Sequence, residues 1–340
     1  MIEDTILASI PPAFRAEYEA DIVHRVGMLL FRRGQPGIVA HLVETGAMAP
    51  AVNGLASLNP IGAGVQLAGQ VVGQAIQVKQ NSAIAAGIDT LKTMGLSNLA
   101  LSGVGIGTTL ISHALVSERL ERIRQNVESI QETLDRVSRK IESLELKAIE
   151  RDFIALDTAC EVAEEAWLAN DSTSEWKRAA DKLHDLQKVF FVRAEDLLAA
   201  RRYEEMEPFI DACALAGTTR VACRIATNDF ALAIKNAEQL GAQLAGLIEP
   251  VGTPEWIEEK ARQSALRVGT PEYVLAFTGL KADADARRSA YLERSQIALS
   301  APHTLSRIKS LGLDGREWLE RVRSEDSEPV LLLSGNDAET

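Results

Sequence analysis

Two long stretches without formal charge set the hydropathy pattern of this chain. Gly46–Val78 and Thr93–Ser117 contain no Asp, Glu, Lys or Arg, and Lys79, Asp89 and Lys92 are the only charges between them. Each run is long enough to cross the hydrocarbon of a bilayer, which takes about 20 helical residues. Both are richer in Gly, Ala, Ser, Asn and Gln than a permanent membrane anchor. Asn59-Pro60 reads as a helix start, Asn as cap and Pro at the first position. The helix it opens, to about Gln80, would be roughly 30 Å long. On that helix Gln66, Gln70, Gln74 and Gln77 share one face. Val65, Leu67, Val71, Val72 and Ile76 make the apolar remainder, and Gly69 and Gly73 form a small-residue pair that admits a close neighbour. The second run, Leu96–Val116, carries Leu99, Leu101, Val104, Ile106, Leu110 and Ile111, with Gly103 and Gly107 offering further close packing.

The pattern changes at Leu120. Leu120, Ile123, Val127, Ile130, Leu134, Val137, Ile141 and Leu144 alternate spacings of three and four, and Ala148 continues the series. That is a heptad seam, with densely charged residues on the other faces. It predicts a rod that pairs with another helix of this chain or with a second copy.

The N-terminal 45 residues read as short helices. Phe14, Tyr18, Ile22, Val26 and Leu29/Leu30 fall on one stripe, Arg32–Gly37 is a turn, and Gly37–Glu44 is a second helix. Residues 152–250 predict three amphipathic helices, punctuated by Asn170–Ser174, Pro208 and Gly217, with Ser174 as a cap. Gly252-Thr-Pro-Glu-Trp256 and Gly269-Thr-Pro-Glu-Tyr273 are two helix starts with Thr as the cap. The residues from Ser324 onward, acidic and polar around Val330–Leu333, read as a loosely held tail. The expected architecture is all-α, an elongated helical bundle. Its parts are an N-terminal helical segment (1–45), an apolar hairpin (46–117), a coiled-coil helix (118–151), a C-terminal helical domain (152–323) and a tail (324–340).

Composition narrows the function classes. Aromatics are 5% and hydrophobic residues 46%, which suits helices more than sheets. The net charge of −12 argues against nucleic acid as a partner and against electrostatic recruitment to an anionic membrane. Cys160, Cys213 and Cys223 have no CxxC spacing and fit buried free thiols in a reducing compartment. The acidic start of MIEDTILASIPPAF does not resemble a signal peptide, so synthesis in the cytoplasm is expected.

No catalytic constellation emerges, and no enzyme activity is expected. Gly103-Val-Gly-Ile-Gly-Thr-Thr lacks the Lys of a phosphate loop and a preceding strand. His24, His41, His113, His184 and His303 are scattered without ligand spacing, so neither a metal nor another cofactor is implied. Glu164-Glu165 and Glu258-Glu259 are adjacent pairs whose members point apart, read as solvated faces rather than acid and base.

The order of parts over residues 46–150, a Gly/Ala-rich apolar hairpin followed by a heptad rod, resembles α-helical pore-forming toxins of the cytolysin A type. Bacterial membrane-acting effectors share these features. The resemblance is architectural and implies a protein that is soluble when made, inserts its hairpin in a lipid bilayer and oligomerises. Gln66, Gln70, Gln74 and Gln77 would then line a pore. Two other readings stay open. One is a soluble helical scaffold or adaptor that binds a helical partner through the seam, with the hairpin as its core. The other is an integral membrane protein with a permanent hairpin.

Overall fold

The computed structural model describes residues 10–44, 142–263, 266–267, 269–324 and 330–334. The apolar hairpin lies outside them, as do all the seam positions except Leu144 and Ala148, so those assignments stay expectations. The described chain is mainly helical. In order it comprises α1 (Pro12–Glu19), β1 (Val23–Val26), β2 (Leu29–Arg32), β3 (Ile38–Glu44), α2 (Glu142–Glu165), α3 (Ser172–Ala199), α4 (Tyr203–Ala226), α5 (Phe230–Ile248), α6 (Thr253–Gln263), α7 (Pro271–Ser310), α8 (Gly315–Ser324) and β4 (Val330–Ser334).

The four strands form one antiparallel sheet in the order β1-β2-β3-β4. This corrects the all-α expectation for the N-terminal segment. The helical stripe stops at Glu19: Asp21 takes a left-handed φ of 57°, and Ile22 and Val26 are 47% and 42% exposed. The three-to-four spacing there coincided with a hairpin. Gly27 supplies the positive φ of its two-residue turn, where Val26 pairs with Leu29. Arg32–Gly37 is a turn as expected, with Gly34 and Gly37 at positive φ, but it joins two strands. Residues 38–44 are β-branched at Ile38, Val39 and Val43 and pair on both sides of the strand. The second correction concerns the tail. Val330–Ser334 is strand β4, with Glu44 opposite Val330 and Ala40 opposite Ser334.

The sheet packs on α7. Val23, Met28, Leu30, Ala40 and Leu42 form a small core with Ile297, and Ile10, Phe14 and Tyr18 lie against it. The Met28 amide donates to Ser300 Oγ at 3.0 Å, and Arg25 pairs with Glu293 at 2.6 Å. His41 Nδ1 lies 3.3 Å from Thr304 Oγ1, and burial, with Arg307 and His303 nearby, pulls its pKa down to about 4.

The larger core surrounds α4. All its residues except Glu205 and Arg224 are buried, and α3 and α5 make its most extensive contacts. Leu156 of α2, Trp176, Leu183 and Phe190 of α3, Met206 and Ile210 of α4, and Leu305 and Ile308 of α7 are all inaccessible or nearly so. A helix buried all round has no polar stripe, so its amphipathic signal is weak. Pro208 and Gly217, which read as breaks, both lie inside α4. Pro208 falls near the start, and Gly217 sits where a Cβ would meet Leu240 Cδ1 of α5 at 2.6 Å. The three cysteines are buried free thiols, as expected. Burial pushes Cys160 and Cys213 up to about 12, which keeps both protonated.

The caps divide between expectation and correction. Asp171, not Ser174, caps α3, accepting the Ser174 amide at 3.2 Å. Thr270 caps α7 as read, accepting from Tyr273. Its counterpart Thr253 turns away and donates to Asp285 at 2.8 Å, while Glu255 accepts from the Gly252 amide. Helix α8 is clasped to α2 by Arg323, which stacks 4.8 Å above Trp167 and bonds Glu164 through both nitrogens of its fork.

Candidate functional site

The densest group of buried ionisable side chains lies along the first half of α4, where α6 and α7 cross it. Glu204, Glu207 and Asp211 occupy one side of α4, at spacings of three and four. Helix α7 answers at the same period with Arg287, Tyr291 and Arg294. Helix α6 adds Glu259 and Lys260. With every group ionised, this inner cluster has four carboxylates and three cations.

Arg294 pairs with Asp211, each about 95% buried, and its guanidinium lies 5.2 Å from the Tyr291 ring centre. Arg287 reaches Glu207 at 3.2 Å, Glu204 at 3.5 Å and Asp283 of its own helix at 3.5 Å. It also lies 5.4 Å above the ring of Trp256 on α6. Burial alone would lower the Arg287 pKa, but Glu207 and Glu204 hold it above the usual value. Lys260 Nζ is 3.1 Å from Glu204. Burial raises Glu207 to about 7 against the pull of Arg287. Tyr291 Oη sits beside Glu207 outside good hydrogen-bond geometry, and burial raises its pKa as well.

Glu259 is the unusual member. It is 4% exposed, and its two oxygens lie 3.1 and 3.4 Å from the Glu204 amide nitrogen. Arg202, at the cap position of α4, carries donors only and turns its side chain to Glu205, so it cannot accept the amides of the first turn. Glu259 therefore caps α4 from a different helix. Burial, with Glu204 next, raises its pKa to about 7. Glu258 beside it is exposed. The two point apart as expected, but only one is solvated. Sequence missed Glu259 because its burial depends on where α6 lands.

A second polar group occupies the other half of α4. Arg220, 8% exposed, donates to Asn236 at 2.7 Å, Gln187 at 3.1 Å and Gln239 at 3.4 Å. Gln187 in turn donates to Gln243 at 2.6 Å. Burial and Arg224 lower the Arg220 pKa. This network ties α3, α4 and α5 together through amide oxygens.

Neither group has a nucleophile beside a base, and among the described residues no three His, Cys, Asp or Glu are placed to hold a metal. A crevice beside the acidic cluster, between Trp256, Arg288 and Tyr291, is too tight to admit water. The arrangement can bind protons and hold helices together. Among the described residues no helix is long and apolar enough to cross a membrane. The insertion, pore-lining and close-packing positions from Val65 to Ile111 lie outside the described residues, as do Leu120, Ile123, Val127, Ile130, Leu134, Val137 and Ile141. Leu144 falls in α2, and Ala148, the next seam position, is half-buried there. No family model matches this chain, and no match was found among curated proteins or solved structures.

Proposed function

We propose that this protein is a membrane-perturbing, pore-forming-type effector that inserts residues 46–117 and oligomerises. The observation that carries this reading is the pair of charge-free runs of spanning length, joined by a short link with three charges. The helical body supports it. Among the described residues, side chains of α2, α3, α5, α7 and α8 pack around α4. That body would be the soluble carrier, with the heptad seam as the pairing surface between copies.

The test is dye release from liposomes. The full chain is expected to release dye, and Val72→Lys or Ile106→Lys to abolish release. A Lys at the centre of a spanning helix costs about 2.5–3.5 kcal/mol on insertion scales. No release across lipid compositions and pH values would overturn the proposal. Loss of a bound partner on Ile130→Lys with Leu134→Lys, without leakage by the parent protein, would point to the adaptor reading.

A further inference from the structure

Helix α6 is short, yet it is fastened at three points. At its start, Thr253 donates to Asp285 of α7, and Arg288 of α7 holds the Val251 carbonyl at 2.6 Å. In its middle, Trp256 packs against Tyr203 of α4 and Tyr291 of α7. Near its end, Glu259 receives the Glu204 amide and Lys260 pairs with the Glu204 carboxylate. The first two attachments do not depend on a weak acid near neutrality. The third does.

We propose that α6 is a proton-linked latch: uptake of one proton by the Glu259 carboxyl fastens α6 to the start of α4, and its loss loosens α6. The inference concerns the helical body and does not rest on the membrane reading.

Every element around Glu259 contributes charge. From α4 and the residues that lead into it come Glu204, Glu205, Tyr203, Arg201 and Arg202, the last paired with Glu205; from α6 itself Glu255, Glu258, Lys260 and Arg262; and from α7 Asp283, Arg287 and Arg288. The N-terminus of α4 favours an anion, but Glu204 and Glu205 already place two carboxylates in its first turn. Arg287 and Lys260 are engaged with Glu204 and Glu207. A third carboxylate in a site closed to water gains less from the helix end than it loses in hydration. Its neutral form still accepts the Glu204 amide through the carbonyl oxygen, so protonation keeps the cap and removes the repulsion. A carboxyl that titrates higher when docked than when released binds more protons in the docked state. Docking is therefore favoured below about 7 and weakens as pH rises through that value.

Hydrogen–deuterium exchange of segment 253–263 in the full chain tests this at pH 6 and pH 8.5, after correction for intrinsic exchange rates. Protection is expected to fall about ten-fold at the higher pH, the value for one group shifted from the ordinary carboxylate range to about 7. Glu259→Gln keeps a neutral acceptor and should leave protection high and equal at both values. Glu207→Gln should keep the parental difference. Equal protection in the parent at both pH values would overturn the proposal. So would a parental slope in Glu259→Gln, loss of the slope in Glu207→Gln alone, or an unprotected α6 in Glu259→Gln at pH 6.

Discussion

Single positions show how far local chemistry reaches. Gly27 has φ of +58°, and a Cβ there would lie 2.4 Å from the Gln296 carbonyl of α7. Gly34 has φ of +77° with nothing within 4 Å. Both would be strained by a side chain, but only Gly27 is crowded. Gly34→Ala is expected to cost about 1 kcal/mol, from backbone conformation alone. Gly27→Ala should cost clearly more, because the sheet must lift from α7. Urea unfolding of the two variants checks the order, and equal midpoints would contradict it. Gly315 poses the same problem for α8, where a Cβ would fall 2.1 Å from the Ile225 carbonyl of α4. A turn glycine can be read from sequence. A glycine required by a neighbour from a distant element cannot.

At the scale of elements, α4 shows why sequence reading weakens toward the centre of a bundle. Its neighbours on all sides remove a solvent-facing polar stripe, and its buried carboxylates Glu204, Glu207 and Asp211 are matched by cations from other helices. The Asp211–Arg294 pair is the deepest of these matches. Asp211→Asn would remove the carboxylate paired with the buried Arg294 guanidinium, and we expect a loss of about 3–5 kcal/mol in urea unfolding. Replacing both residues, Asp211→Leu with Arg294→Met, should recover most of that loss. A double variant no better than the single one would show that the pair adds stability beyond satisfying its own buried charge. The two Gly-Thr-Pro-Glu starts make a related point. Their identical residues take different roles because Asp285 stands opposite Thr253, whereas Thr270 accepts the amide of Tyr273.

For the whole molecule, the shifted groups set opposite slopes of stability with pH. Glu207 and Glu259 are raised to about 7, so folding takes up protons between the ordinary carboxylate range and about 7. Their contribution falls as pH rises through that window. His41 is lowered to about 4, so its contribution is present above the ordinary histidine value and is lost as pH drops toward 4. Asp171, Asp285 and Asp314 are lowered by their hydrogen bonds and lose their contributions in acid. The melting temperature should therefore rise as pH falls from about 8 toward about 5, because the two protons taken up outweigh the one His41 refuses, and drop in stronger acid. Thermal melts followed by circular dichroism check this, and a maximum at pH 8 or above would contradict it. Closure of the sheet is also a property of the whole molecule. Leu331 and Leu333 pack on the large core and Leu332 on the small one, so β4 alternates between the two.

Legibility followed sequence separation. The helix that opens near Ser174, the helix start at Thr270, the free buried cysteines and the turn at Arg32–Gly37 were readable, because capping residues, apolar period and glycine act within a few positions. The β3–β4 pairing was not, because the strands lie at opposite ends of the chain and Val330–Leu333 is too short to announce a partner. The buried acidic cluster was not read: the spacing of Glu204, Glu207 and Asp211 puts them on one face, but their cations come from α6 and α7. Sequence by itself determined the helical character of the body and the two uncharged runs, since both rest on composition and local period. Only the tertiary structure decided that Glu259 is buried on the end of α4, because hydration is lost only when another helix arrives to exclude water.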